Sequence, residues 1–180
     1  DVSSDLEWAK ALMLATDAVA AESERRHRTL ALPAEQFTRL QVAYEELKSE
    51  RGLMDFEDVL LVTVGALSAR PDIADEVRAA YRWFTVDEYQ DVNPLQHRLL
   101  SLWLGDRDDI AVVGDASQTI YSFTGATPQY LTGFLGTYPQ ATQVQLVRCY
   151  RCTPQVVSLA NAVIAAGERA STHASPAARP

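Results

Sequence analysis

The residues that invite a chemical reading are Asp87 and Glu88, within Trp83–Asp91, WFTVDEYQD. Apolar, β-prone residues run directly into two adjacent carboxylates, with Gln90 and Asp91 just behind them. Acids at the C-terminal end of a buried strand are where α/β proteins hold a metal or a nucleotide. In extended chain, neighbouring side chains point to opposite sides. Such a pair suits divided labour: one carboxylate can hold Mg²⁺ through its waters while the other polarises an attacking water. A surface acid pair after a strand is the plain alternative.

Two further stretches carry polar groups suited to the same chemistry. In residues 112–126, VVGDASQTIYSFTGA, an apolar run stops at Gly114-Asp115 and a loop then offers Gln118, Tyr121 and Phe123. A Gln can hydrogen-bond a phosphate oxygen or position a water. Tyr121 and Phe123 alternate with polar residues, so both rings could share one face and stack on bases; equally, both could be core. In residues 146–161, LVRCYRCTPQVVSLAN, Tyr150-Arg151 precedes a helical pattern. An aromatic ring can stack on a purine, and an Arg beside it can stabilise charge on a γ-phosphate. A surface Tyr-Arg dipeptide is the alternative.

The elements that must position these groups fall into two textures. Up to Tyr81 the pattern is helical. Ser4 and Glu7 stand at capping-box spacing, and one helix is expected from there to about Arg28. A second is expected from Pro33 to about Arg51, with Gly52 as its stop. A third covers MDFEDVLLVTVGAL with Asp55 near its N-cap, and a fourth opens at Pro71 and ends near Tyr81. After Tyr81 the pattern predicts a strand at Trp83–Val86, a helix at Pro94–Leu104 closed by Gly105 and a strand in IAVVGD. A short helix at Gln129–Leu135, a strand in TQVQLV and a helix from Pro154 to about Ala166 follow. Alternation of this kind implies an α/β fold with a mainly parallel sheet. The tail STHASPAARP reads as a linker or frayed end.

Composition narrows the function classes. The 180 residues are 47% hydrophobic and 22% charged, a globular balance. No apolar run approaches the roughly 20 residues that cross a bilayer, and no secretory signal is visible, so a cytoplasmic protein is expected. Cys149 and Cys152 cannot by themselves make a four-ligand zinc site and read as reduced thiols. The net charge of -8 argues against an electrostatic blanket for nucleic acid. Residues 1–81 carry 9 Lys+Arg against 16 Asp+Glu, whereas residues 82–180 carry 7 against 8. DNA contact must then rest on a few placed groups and on stacking.

Taken in order, Asp-Glu-x-Gln-Asp, then Val-Gly-Asp-x-x-Gln-x-Ile-Tyr-x-Phe-x-Gly-Ala, then Tyr-Arg with a helix reaching Ala-Asn, closely resembles the superfamily 1 DNA helicases of the UvrD/PcrA/Rep type. MDFEDVL looks like their Asp-Phe-x-Asp-Leu motif, and LEWAKAL resembles a Trp-Ala-Lys helix of their helical insertion. The resemblance runs from Leu6 to Asn161. It implies a helical (1B-like) insertion and return helices over 1–80 and the latter part of a RecA-like P-loop NTPase domain over 81–150. Residues 151–180 would be the start of a second RecA-like domain or a linker. It implies ATP and Mg²⁺ as cofactors, and single-stranded and duplex-junction DNA and the rest of a helicase polypeptide as partners. DNA repair or replication would be the setting. Asp87 would be the magnesium-holding acid of a Walker B motif and Glu88 the base that activates water. Gln118 would sense the γ-phosphate, Tyr121 and Phe123 would contact bases, Tyr150 would stack on adenine, and Arg151 would be an arginine finger. Asp55, Phe56 and Asp58 would be structural or near DNA.

Two departures qualify the resemblance. Relatives usually place Arg before the Gly-Ala of the third motif; here the residue is Thr124, which cannot replace a guanidinium fork. A phosphate loop needs G-x-x-x-x-G-K-[ST]; the only lysines are Lys10 and Lys48, preceded by Ala and Leu. The 180 residues are therefore expected to be one piece of an ATP-dependent 3′-to-5′ helicase and inactive alone. The alternatives are a non-enzymatic DNA- or partner-binding module of this family, or a metal-dependent nuclease built on Asp87, Glu88, Asp91 and Asp115.

Overall fold

The computed structural model describes residues 1–174. The chain divides into two compact units, Asp1–Pro139 and Gln140–Pro180. The first holds α1 (Val2–Ala11), α2 (Val19–Arg25), α3 (Ala34–Arg51), α4 (Phe56–Ala69), α5 (Pro71–Ala80), β1 (Phe84–Val86), α6 (Pro94–Leu104), β2 (Ile110–Val112), α7 (Gln129–Thr132) and α8 (Phe134–Thr137). The second holds α9 (Pro154–Ala174). No helix among the described residues is long and apolar enough to cross a membrane.

The helix ends explain most of the agreement and the main disagreement with the sequence. Asp55 caps α4 and Asn93 caps α6, each in a reciprocal box with the residue three positions on. Gly52 closes α3 in the left-handed conformation, with Leu53 N–H reaching the Lys48 carbonyl. The same motif closes α1 and α2, but with Met13 (φ 54°) and His27 (φ 52°) at the left-handed position. Leu14 N–H bonds to the Ala9 carbonyl and Arg28 N–H to the Ser23 carbonyl. The single helix expected from Ser4 to Arg28 is therefore two helices, each stopped by a non-glycine residue that gives no glycine signal. Its cap is also earlier than expected: Asp1, not Ser4, accepts the capping N–H.

Two apolar clusters hold the first unit. Trp8, Ala9, Val19 and Phe37 are buried together, flanked by Leu6, Leu12, Leu14, Leu30 and Leu32. Leu67, Ala74 and Leu99 form the other, where α4, α5 and α6 meet. Each large side chain so buried contributes about 2–3 kcal/mol against exposure.

The sheet has two parallel strands, with Phe84 opposite Ile110, Thr85 opposite Ala111 and Val86 opposite Val112. α6 makes the crossover between them, as a parallel pair requires. This is α/β, with helix predominating. The strand expected in TQVQLV does not form: Gln143–Val147 has no ladder, and Leu146 and Val147 are each 85% exposed. Among the described residues, its own unit contains this stretch and α9, and no strand edge to pair with. The helix expected at Gln129–Leu135 is split into α7 and α8 at Gly133. In the tail, Ser171–Ala174 belong to α9, beyond the expected end near Ala166; residues 175–180 lie outside the described residues.

Candidate functional site

β1 delivers Asp87 and Glu88 at its C-terminal end. The ladder skips the pair: Val113 N–H bonds to the Val86 carbonyl, and Tyr89 N–H bonds back to the Val113 carbonyl. Glu88 therefore does not continue the extended chain. It sits at φ 50°, ψ 39°, the left-handed region, so the expectation of two carboxylates on opposite faces of a strand is corrected to a tight turn. A non-glycine residue held there costs on the order of 1 kcal/mol. Asp87 Oδ1 accepts the Glu88 N–H at 2.9 Å. Both carboxylates are exposed, and among the described residues no Lys, Arg or His pairs with either.

Gln90 sits behind them, 1% exposed. Its Oε1 accepts the Asp115 N–H at 3.0 Å, and its Nε2 donates to Glu88 Oε2 at 2.7 Å and to Asp91 Oδ2 at 3.3 Å. A buried amide so satisfied is rigid, because losing one partner would strand a buried polar atom. Gln90 thus ties Glu88 to the loop after β2. Gly114 makes that approach possible: a Cβ there would lie 2.5 Å from Gln90 Oε1 and 3.2 Å from Tyr89 N.

The loop is held at further points. Asp91 Oδ1 accepts the N–H groups of Ile120 (3.1 Å) and Tyr121 (3.3 Å). Asp115 accepts from the Gln118 side chain at 3.0 Å and from Ser117 N–H at 2.9 Å. These two bonds hold the Asp115 carboxyl below its ordinary range. Gln118 is exposed, its amide resting on Asp115. Tyr121 and Phe123 are 50% and 55% exposed, with ring centroids 6.1 Å apart and planes tilted by 45°. They are surface rings, not core.

The first unit thus brings together Asp87, Glu88 and Gln118, with Tyr121 and Phe123 on the same loop as Gln118. Tyr150 and Arg151 lie in the second unit, both exposed. There Cys149 and Cys152 are free and exposed, and Cys152 N–H points at Cys149 Sγ from 3.4 Å. That contact, with the Arg151 N–H, lowers the Cys149 thiol from its usual range. The acid quartet of a nuclease does not assemble. Asp91 and Asp115 are committed to loop N–H groups, and among the described residues the one carboxylate triad near enough to share an ion is Glu45, Asp55 and Asp58.

That triad already holds two ammonium groups. Lys10 and Lys48, 7% and 8% exposed, reach Asp55 and Asp58 across α1, α3 and α4. Lys10 contacts Asp58 at 2.7 Å and Lys48 contacts Asp55 at 2.9 Å. Each also lies 2.9 Å from Glu45, although Glu45 Oε1 is out of hydrogen-bond alignment with Lys10. Tyr44 donates to Asp55 at 3.1 Å. Burial alone would drive the lysines down and the acids up, but their mutual bonds outweigh it. Both lysines are raised and both aspartates lowered. The two lysines that failed the phosphate-loop test are structural, and so is the Asp55/Asp58 motif.

The hard-oxygen pair Asp87/Glu88, exposed and without a cationic side chain, fits a divalent ion and an activated water; the lysine-filled triad does not. An acid-bearing strand end beside a glutamine loop, at the carboxyl end of a parallel pair, is where α/β folds place their ligand sites. Residues 6–139 match the family described as the UvrD/REP helicase N-terminal domain. The chain is 51% identical over 170 residues to the ATP-dependent DNA helicase UvrD2 of Mycobacterium tuberculosis, covering 92% of this chain and 24% of that protein. It is 39% identical to UvrD1 of Mycobacterium leprae over 68% of this chain and 17% of the relative. It is 36% identical to PcrA of Leuconostoc citreum over 73% and 17%. The chain belongs to the UvrD/REP helicase family, and spans about a quarter of the length of the curated relatives it matches most fully.

The sequence drew attention to Gln90 and Gly114 without giving either a role, and did not single out Arg28 as functional. A glutamine directly behind an acid pair, with a glycine ending the next strand, was a usable signal for the first two. Arg28, described below, gave none.

Proposed function

We propose that the chain is part of an ATP-dependent DNA helicase that moves 3′ to 5′ on single-stranded DNA in the cytoplasm, serving repair or replication. In this reading residues 1–80 form the helical insertion and return helices, and 81–150 the latter part of the first RecA-like domain. Residues 151–180 open the second or link to it. The observation that carries it is the arrangement of Glu88, Gln90 and the loop 115–124. Two cation-free carboxylates face solvent, and a buried amide joins one of them to the loop bearing Gln118, Tyr121 and Phe123.

Asp87 would hold Mg²⁺, which would screen the phosphate charge of bound ATP. Glu88 takes a proton from the attacking water, Gln118 reads the γ-phosphate, Tyr150 stacks on adenine and Arg151 stabilises phosphoryl charge. Tyr121 and Phe123 meet the bases of the translocated strand. Gln118 leaves Asp115 when it turns to a phosphate, and the bonds from Asp115 N–H to Gln90 and from Gln90 to Glu88 link that end of the loop to the acid pair. By themselves these 180 residues do not turn over ATP, because neither lysine is in a phosphate loop and both are bound by carboxylates.

The test is nucleotide hydrolysis by the whole helicase polypeptide. Glu88→Gln lowers DNA-stimulated turnover by about 10³-fold, within the general-base range, while ATP still binds. Unchanged turnover removes Glu88 from the mechanism. Phosphate release by the purified 180 residues, abolished by Glu88→Gln, would overturn their inactivity. DNA binding lost on Tyr121→Ala with no response to ATP would instead favour a non-enzymatic module.

A further inference from the structure

Arg28 follows the left-handed His27 that ends α2, so the helix-closing motif fixes where its side chain begins. The guanidinium is then held on several sides. Nε and Nη2 both donate to Asp5 Oδ1, at 3.0 and 2.8 Å, and Nη2 reaches the Ser4 carbonyl and hydroxyl, each at 3.3 Å. Asp5 is itself buried, its other oxygen taken by Ala31 N–H at 2.8 Å. The guanidinium stacks over the Trp8 ring at 4.8 Å. One nitrogen is left over, and Nη1 donates to the Phe123 carbonyl at 2.6 Å.

The turn itself leaves that carbonyl unpaired. In the turn 121–126 the Tyr121 carbonyl takes the Thr124 and Ala126 N–H groups and the Ser122 carbonyl takes Gly125 N–H. No main-chain N–H among the described residues reaches the Phe123 carbonyl; Arg28 supplies its bond. Asp91 grips the same turn from the other side, at Ile120 and Tyr121. The two exposed rings therefore stand on a segment clamped at both ends by side chains from outside it.

We propose that Arg28 is a positioning residue for single-stranded DNA binding: from the α1–α2 region it fixes the main chain at Phe123 and so sets how Tyr121 and Phe123 are offered to bases. This rests on the reading of those rings as base contacts. Lysine cannot substitute, since one ammonium cannot hold Asp5 and Phe123 in the planar fork Arg28 uses.

The experiment is a double-mutant cycle on the affinity of the helicase polypeptide for an oligothymidylate, read by fluorescence anisotropy. Arg28→Lys weakens binding by roughly tenfold in the wild-type background, on the scale of one lost base stack. In the Tyr121→Ala/Phe123→Ala background it changes binding little, because there are no rings left to position. An equal loss in both backgrounds would mean general destabilisation and overturn the proposal. A loss on removing the rings but none with Arg28→Lys would overturn it while leaving the rings as base contacts. No loss from either change would remove the rings from DNA binding, and the positioning role with them.

Discussion

Two acidic pairs in this chain have opposite fates. Asp55 and Asp58 begin α4, face two buried lysines and bond to each other's main-chain N–H groups. Asp87 and Glu88 end β1, face solvent, and among the described residues have only a glutamine and a main-chain N–H as hydrogen-bond partners. The residue types are nearly the same. What differs is who neutralises them. A carboxylate whose charge is satisfied by ammonium groups is a strut; one left with none can still bind a cation or take a proton. Backbone cost separates them too: the struts sit in a relaxed helix cap, whereas Glu88 is held in a conformation that non-glycine residues avoid.

Substitutions can break this contrast from either side. The largest effect falls on catalysis: Glu88→Gln, with its roughly 10³-fold loss of hydrolysis, leaves the melting temperature unchanged. At the struts the effect is on stability. Asp58→Ala leaves Lys10 and Lys48 short of a partner in a largely dry site and costs about 3 kcal/mol, measured by chemical denaturation of the 180-residue chain. Gly114→Ala pushes a methyl group against Gln90 and costs about 1–2 kcal/mol. It also loosens the loop, so hydrogen exchange at Asp115 N–H speeds up more than at the helices.

The pH dependence sharpens the contrast further. Folded Asp55 and Asp58 bind protons less tightly than the ordinary 3.8. Their stabilisation is complete above that value and drains as pH falls below it. Lys10 and Lys48 bind protons more tightly than the ordinary 10.5, so their share is complete below 10.5 and drains as pH climbs past it. Melting temperature against pH should plateau between those limits, and Asp55→Asn/Asp58→Asn should flatten the acid edge.

How much of this was legible beforehand follows from where each signal resides. Helix starts at Asp55, Pro71 and Pro94 and stops at Gly52 and Gly105 are local chemistry, and the sequence carries it. The breaks at Met13 and His27 depend on how α1 and α2 pack, so no local residue type announces them. The strand at TQVQLV had the right composition but needs a partner edge. At the site, Asp87, Glu88, Gln118, Tyr121 and Phe123 stood out by type and spacing. The lysines of the strut network stood out only by failing to fit a phosphate loop. The Arg28–Phe123 bond joins positions 95 apart and exists only in the fold.

The most direct test of the contrast pairs two readings on one variant. Glu88→Gln in the helicase polypeptide is assayed for DNA-stimulated ATP hydrolysis and for melting temperature. The account predicts hydrolysis lower by about 10³-fold with the melting temperature of wild type. Undiminished hydrolysis, or a loss matched by a fall in melting temperature, would contradict it.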